Sequence, residues 1–412
     1  MTPRTRYEVT LVALFGLAIG WMSFEQLGIS YLIPFVKPAL GLNNTQVGLL
    51  MSAYWVAFAA SSYATGSLVD HLGRRKPFLV LILSAFAVSS VLSALTTSFG
   101  ALLAARAVMG LWEGALFTAV QSFVAMQSPP DRRGFNLGIV AGVFPNILGI
   151  LIAPLVLVQL ALHFDWRIGF TAVLVPGIVT ALLVSILIHE PVRSDAKPLI
   201  KDAQDGAAPG PLNGVLHLRN VWLCAGLCCF YVAYLNAGFT FLPLYYINIR
   251  HFSSQEMSLL MGVLGISAVL FAYLLPAASD RLGRRPVMMV SSLLSAVSPL
   301  AALYVSSPIG LLASLMLIGW AMSGTVSLIA SIIPAETVPP NRLSTTIGLI
   351  IAIGVIVGGL AGPGAAGWIA DHWGLRAPLL LQVGYAAGAL LFSTALIETL
   401  PRNTQTKPCA QT

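Results

Sequence analysis

A chain of 412 residues that is 57% hydrophobic and 9% charged is not a soluble globular protein, whose charged share averages about 25%. Its mean hydropathy is +0.85. The net charge of +7 would suit a nucleic-acid partner, but the basic residues are spread through short loops between apolar runs. Nucleic acid is thereby excluded, and a lipid bilayer is the expected surrounding.

Apolar runs occupy residues 9–38, 46–69, 78–97, 99–127, 134–160, 167–188, 219–249, 256–279, 286–305, 308–333, 343–370 and 376–397. Most reach the ~20 residues that a bilayer crossing requires. The short alternating segments of a membrane strand barrel are absent from the sequence. In hydrocarbon the backbone must satisfy its own hydrogen bonds, so the runs predict helices. The first resembles a signal peptide, with Arg4 and Arg6 ahead of it, but it is long and holds Glu25. It reads as an uncleaved first span.

Residues 189–218 are the one long polar interruption, with Pro191, Pro198, Pro209 and Pro211 and no helical period. The predicted organisation is therefore an N-terminal six-helix bundle (1–188), a linker (189–218) and a C-terminal six-helix bundle with a short tail (219–412). With both termini on one side, seventeen Lys and Arg residues fall on that side. Lys37, Arg167, Arg250 and Arg376 fall on the other. The excess predicts cytoplasmic termini in a multi-pass cell (inner) membrane protein, read as a monomer. Cys224, Cys228 and Cys229 share one apolar run and read as small buried residues.

Two loops repeat 210 residues apart. Asp70-His71-Leu72-Gly73-Arg74-Arg75 follows Gly66 and the second run, and Asp280-Arg281-Leu282-Gly283-Arg284-Arg285 follows the eighth, with Pro276 in the place of Gly66. Gly114, Gly138 and Gly149 map at the same spacing onto Gly324, Gly348 and Gly359. Internal repeats of this kind are a common plan of membrane transporters. Small residues four apart in the fifth and eleventh runs allow close helix approach across the interface between halves.

On these residues the chain resembles the major facilitator superfamily. The resemblance implies two six-helix bundles around a central cavity that opens alternately to each side. It also implies that Gly66, Asp70, Gly73, Arg74, Arg75, Asp280, Gly283, Arg284 and Arg285 form contacts that close the cytoplasmic side. Within the superfamily, Arg106-Ala107-Val108-Met109-Gly110-Leu111-Trp112-Glu113-Gly114 is similar to the fourth helix of the anion:cation symporter family of organic-anion carriers. Asp165-Trp166-Arg167-Ile168-Gly169-Phe170 and Phe241-Leu242-Pro243-Leu244-Tyr245 are similar to it as well. Many members of that family place Asp-Arg nine and eight residues before a helix-one Pro. Here Glu25 and Gln26 stand so before Pro34, which keeps the acid and loses the cation.

Glu25, Arg106 and Glu113 are ionisable residues inside apolar runs, where insertion costs about 2.5–3.5 kcal/mol for each charge. At about 1.5 Å per residue, Glu25 and Arg106 fall at similar heights, and Glu113 lies roughly 10 Å deeper than Arg106 on the same helix face. The three are expected to form a ladder facing the cavity. A carboxyl in apolar surroundings favours its neutral form, and a substrate anion on Arg106 would free the neighbouring acid to take a proton. Glu113 and Glu25 are thus the candidate proton-coupling residues. The plainer alternatives are a structural Arg106–Glu25 tie and a Glu25 near the wet outer rim. Glu336 reads as part of an interfacial charge network.

Arg106, Gln26, Tyr54, Tyr231, Tyr234, Asn236, Tyr245 and Asn146 are candidate substrate-binding residues, with Gln121 a further polar position. A nucleotide-binding loop, a His cluster, a nucleophile motif and metal-ligand spacing are absent from the sequence. It therefore predicts no enzyme, cofactor or metal. The expected function is proton-coupled symport of a small organic anion by alternating access. The alternative is proton-coupled efflux of drugs or metabolites.

Overall fold

The structure, a computed structural model, describes residues 3–71, 75–129, 132–190, 217–338 and 343–400. Each apolar run is occupied by helix. We number them α1 (Pro3–Ala39), α2 (Asn44–His71), α3 (Arg75–Ala94), α4 (Phe99–Gln127), α5 (133–163), α6 (Trp166–Leu187), α7 (Arg219–Asn248), α8 (Ser254–Leu282), α9 (Arg284–Tyr304), α10 (308–337), α11 (343–373) and α12 (Ala377–Ala395). Among the described residues eleven of these, all but α10, are long and apolar enough to cross a membrane. The protein is a multi-pass, all-helical membrane protein.

Polar residues cap several helix starts. Ser98 opens α4 by accepting the Ala101 N–H at 3.3 Å, and Ser253 and Glu256 form a reciprocal capping box on α8. Gly283, at φ +100°, joins α8 to α9 in a backbone conformation that a side chain would strain, which accounts for the glycine in the second loop. Among the described residues, three helices hold π turns. α5 holds π turns at Ile139–Val143 and Asn146–Ile152, α10 one at Leu328–Ile332, and α11 one at Gly354–Gly359.

α2 lies along α4, α8 along α10, and α9 and α7 along α12, while α3 packs on α4 and α6. Helices of the first six meet helices of the last six where α2 faces α11, α5 faces α8 and α1 faces α7. Large apolar side chains such as Leu182, Ile186 and Leu391 remain exposed on the outer surface, where lipid would cover them. We call the end at which α2, α4 and α6 finish the linker end, and the opposite one the far end.

Candidate functional site

Close contact between α2 and α4 creates the site. A Cβ on Gly110 would strike the Tyr54 carbonyl oxygen, and one on Gly114 would strike the Phe58 carbonyl oxygen and the Ser61 hydroxyl. With hydrogens in their place the two backbones touch. Ser62 then donates to the Gly114 carbonyl at 3.1 Å, and Thr118 to the same oxygen at 3.1 Å. The approach brings the Tyr54 ring alongside the α4 face that carries Arg106 and Glu113.

Arg106 Nη1 donates to Glu25 Oε1 at 2.6 Å, with side chains 0% and 1% exposed. The Arg106 guanidinium carbon lies 5.2 Å from the Tyr54 ring centroid. The Tyr54 hydroxyl donates to Glu113 Oε2, and Glu113 is close enough to Glu25 for the two carboxyls to repel when both are charged. Among the described residues Glu25 Oε2, Glu113 Oε1, Arg106 Nε and Arg106 Nη2 have no hydrogen-bond partner. The structure thus brings Glu25, Arg106, Glu113 and Tyr54 together, sealed between α1, α2 and α4. With both acids ionised the cluster carries one net negative charge, and one proton neutralises it.

The other candidates disperse. Tyr231 exchanges a hydrogen bond with Ser292 of α9 at 2.8 Å, and the Tyr245 hydroxyl donates to the Ala302 carbonyl at 3.4 Å. Tyr234 is buried, and its carbonyl accepts from Gln382 of α12 at 3.0 Å. All three tyrosines are buried, and Tyr231 and Tyr245 turn their hydroxyls onto α9. Burying a ring and bonding its hydroxyl to a neighbouring helix satisfies both halves of the side chain. Gln26 and Gln121 are half-buried.

Asn146 lines a cavity of about 260 Å³ with Phe135, Ile139, Val143, Tyr273 and Ser327. It lies on the linker-end stretches of α5 and α8. Asn236 accepts the Trp55 indole N–H at 2.9 Å, a bond that joins α7 to α2.

The far end is closed. Asp371, at the end of α11, accepts the backbone N–H groups of Asn44 at 2.8 Å and Thr45 at 2.7 Å, and the Thr45 hydroxyl at 2.6 Å. It thereby caps α2 from the other six-helix set. Ser52 donates to the Leu360 carbonyl at 2.7 Å. Gly48 lies against the Pro363 carbonyl, and a Cβ on Gly265 of α8 would fall 2.6 Å from the Leu151 nitrogen of α5. Asp371 was missed as a functional residue, although its surroundings carry a signal. Asp371-His372-Trp373-Gly374 repeats the Asp-His-x-Gly of Asp70-His71-Leu72-Gly73.

A family model described as Major Facilitator Superfamily matches residues 10–277 and 239–409. The chain belongs to the major facilitator superfamily. It is 24% identical over 411 residues to the hexuronate transporter of Bacillus subtilis (strain 168), covering 96% of each chain. It is 26% identical over 365 residues to a probable 4-methylmuconolactone transporter of Cupriavidus pinatubonensis, covering 86% of this chain and 83% of that one. Its fold matches a bacterial homolog of the human lysosomal transporter Spinster, solved inward-facing and occupied. The TM-score is 0.77 at 18% identity, over 96% of this chain and 97% of that one. These relatives are transporters, and this superfamily member is not an enzyme.

Of the loop residues that the superfamily resemblance marks for gating, Gly73 and Arg74 lie outside the described residues, as do the side chains of Gly66 and Asp70. Arg75 opens α3, where its backbone N–H and that of Lys76 donate to Glu190 at 2.6 and 3.0 Å. In the second loop Arg284 bridges Asp280 at 2.5 Å and Glu336 at 2.7 Å. Glu398 accepts the backbone N–H groups of Arg284 and Arg285 at 2.8 and 3.0 Å. Thr399 donates to Glu336 at 2.5 Å. These bonds join helices within one six-helix set. Glu190 and Glu398 were not among the predicted site residues, and only a nearby Pro and Arg in each segment (Pro191 and Arg193, Pro401 and Arg402) hint at a shared role.

Proposed function

We propose that the protein is a proton-coupled symporter of a small organic anion, built as two six-helix bundles (1–188 and 219–412) around a linker at 189–218. The observation that carries this reading is the sealed Glu25–Arg106 ion pair with Glu113 and Tyr54 beside it. A buried cluster of net charge −1 favours one bound proton. A substrate carboxylate could use the Arg106 donors that lack partners and displace Glu25, which would then be neutralised by a proton of its own. Anion and proton would thus bind together, as symport requires.

The positive excess in the linker-end loops supports placing that end, and both termini, in the cytoplasm of an inner-membrane protein. With the far end closed and a cavity at the linker end, the form described here is then the inward-facing one. The names of the hexuronate and methylmuconolactone relatives support an organic acid as substrate. A monomer suffices, since the site lies within one chain.

A second reading is efflux in exchange for protons. The cavity walls favour it, because Phe135, Ile139, Val143, Val269 and Ala272 are apolar and Asn146 and Ser327 are uncharged.

The test is uptake into proteoliposomes of a panel of carboxylates, with and without an imposed proton gradient. Accumulation that ignores the gradient, or an unaffected Glu113→Gln variant, would overturn proton-coupled symport. Drug resistance on expression, with no uptake of any acid, would establish the efflux reading instead.

A further inference from the structure

Tyr54 and Trp55 are neighbours in α2 that point, about 100° apart, to different partners. Tyr54 donates to Glu113 inside the first six-helix set. Trp55 donates its indole N–H to Asn236 of α7 at 2.9 Å and packs against Gly359 of α11, where a Cβ would lie 3.0 Å from the ring. Asn236 is held for this task, because its own amide donates to the Val232 carbonyl at 2.9 Å and so presents the oxygen to Trp55. The two rings meet edge to face at 5.3 Å, and Phe58 closes on both. A shift of α2 at Tyr54 therefore moves Trp55 with it.

We propose that Trp55 is the positioning residue that links the buried acid cluster to the far-end gate. Its bond to Asn236 latches the closed form, and Tyr54 ties that latch to the protonation of Glu113. The proposal rests on the proton-coupled reading above. The groups facing Tyr54 are Glu113, Arg106 and Glu25, and Trp55 itself faces the uncharged Asn236 and Gly359. The pH signal must therefore enter through Tyr54.

The experiment places a cysteine at Ser52, buried where α2 meets α11, in a chain whose native cysteines are replaced by alanine. Labelling by a membrane-impermeant maleimide from the far side is followed in membrane vesicles at alkaline and mildly acidic pH, and each rate is divided by that of a free thiol at the same pH, so that the changing thiolate fraction cancels. The parent should label slowly, at a rate that changes with pH. Trp55→Phe should label about fivefold faster, the shift from losing one net hydrogen bond, and its rate should no longer respond to pH. Asn236→Ala, which removes the latch from the other side, should behave the same, and the double variant should add nothing further. A Trp55→Phe protein that labels faster yet keeps the parental pH response would reduce Trp55 to a structural contact and overturn the proposal alone. A parent with no pH response, matched by Glu113→Gln, would overturn the proton-coupled reading and this link with it.

Discussion

Glu190 and Glu398 hold matching posts in the two halves of the chain. Each presents its carboxylate to the first two backbone N–H groups of a helix, Glu190 to α3 and Glu398 to α9. A helix start leaves such donors unsatisfied and partly positive, so an acid arriving from the end of α6 or α12 completes it. In each six-helix set one side chain thus ties the end of the last helix to the start of the third. Replacing either acid by Gln should cost about 1 kcal/mol, read as a lower melting midpoint in detergent, with little change in the far-end contacts.

The linker-end acids set the pH at which this tie fails. Burial by itself raises the Glu398 carboxyl, but N–H bonds from Leu400, Arg284, Arg285 and Thr399 outweigh it and hold the group below its ordinary value. Burial also raises Glu336, and Arg284 and Thr399 reverse the effect. A carboxyl lowered by folding adds stability above its unfolded value of about 4.3, and that stability is lost as pH falls through the lowered native value. The melting penalty of Glu398→Gln should therefore be constant from about pH 8 to pH 5 and vanish below. A penalty that disappeared near neutrality would show that folding raises the Glu398 carboxyl and does not lower it.

The Glu25–Arg106 pair calls for a paired substitution. Arg106→Leu alone leaves a buried carboxylate unpaired and should destabilise the protein by about 3–5 kcal/mol. Adding Glu25→Gln should restore much of that loss, while gradient-driven uptake stays absent. Thermal stability and uptake measured on the same preparations separate the two effects.

Asp371→Asn keeps the size of the α2 cap but removes its charge. Charge-assisted hydrogen bonds are roughly twice as strong as neutral ones. The change should shift the population toward a far-open form by roughly tenfold. Far-side labelling at Ser52→Cys reads it directly, and an unchanged rate would show that the cap does not hold the gate.

Gly114→Ala tests the α2–α4 contact. The new methyl must part the helices at Phe58 and Ser61. The expected cost is about 1–3 kcal/mol, and uptake should fall further than stability does, because Tyr54 is drawn away from Glu113.

What the sequence reveals follows from which groups are conspicuous in it. Glu25, Arg106 and Glu113 stand out because charge is rare in an apolar run, and the structure brings all three together. The apolar runs likewise mark the helices to within a few residues. The tyrosines give no such sign. An aromatic ring suits a cavity wall and a packed interior equally, so Tyr231 and Tyr245 face α9 with nothing in the chain to announce it. Glu190, Glu398 and Asp371 were hidden for another reason. Their partners are backbone N–H groups, which every residue but proline carries, and acids near helix ends look like ordinary interfacial charge. The π turns of α5 and α11 are equally silent, since Gly and Pro permit them without requiring them.

Those π turns bear on how the interface can move. A turn that reverts from π to α geometry rotates the rest of its helix by roughly 100° about its own axis. α5 and α11 are the helices that meet α8 and α2 across the molecule. Each holds slack that can be taken up or released in mid-span, so either can swivel the stretch beyond its π turn to offer its partner a fresh face.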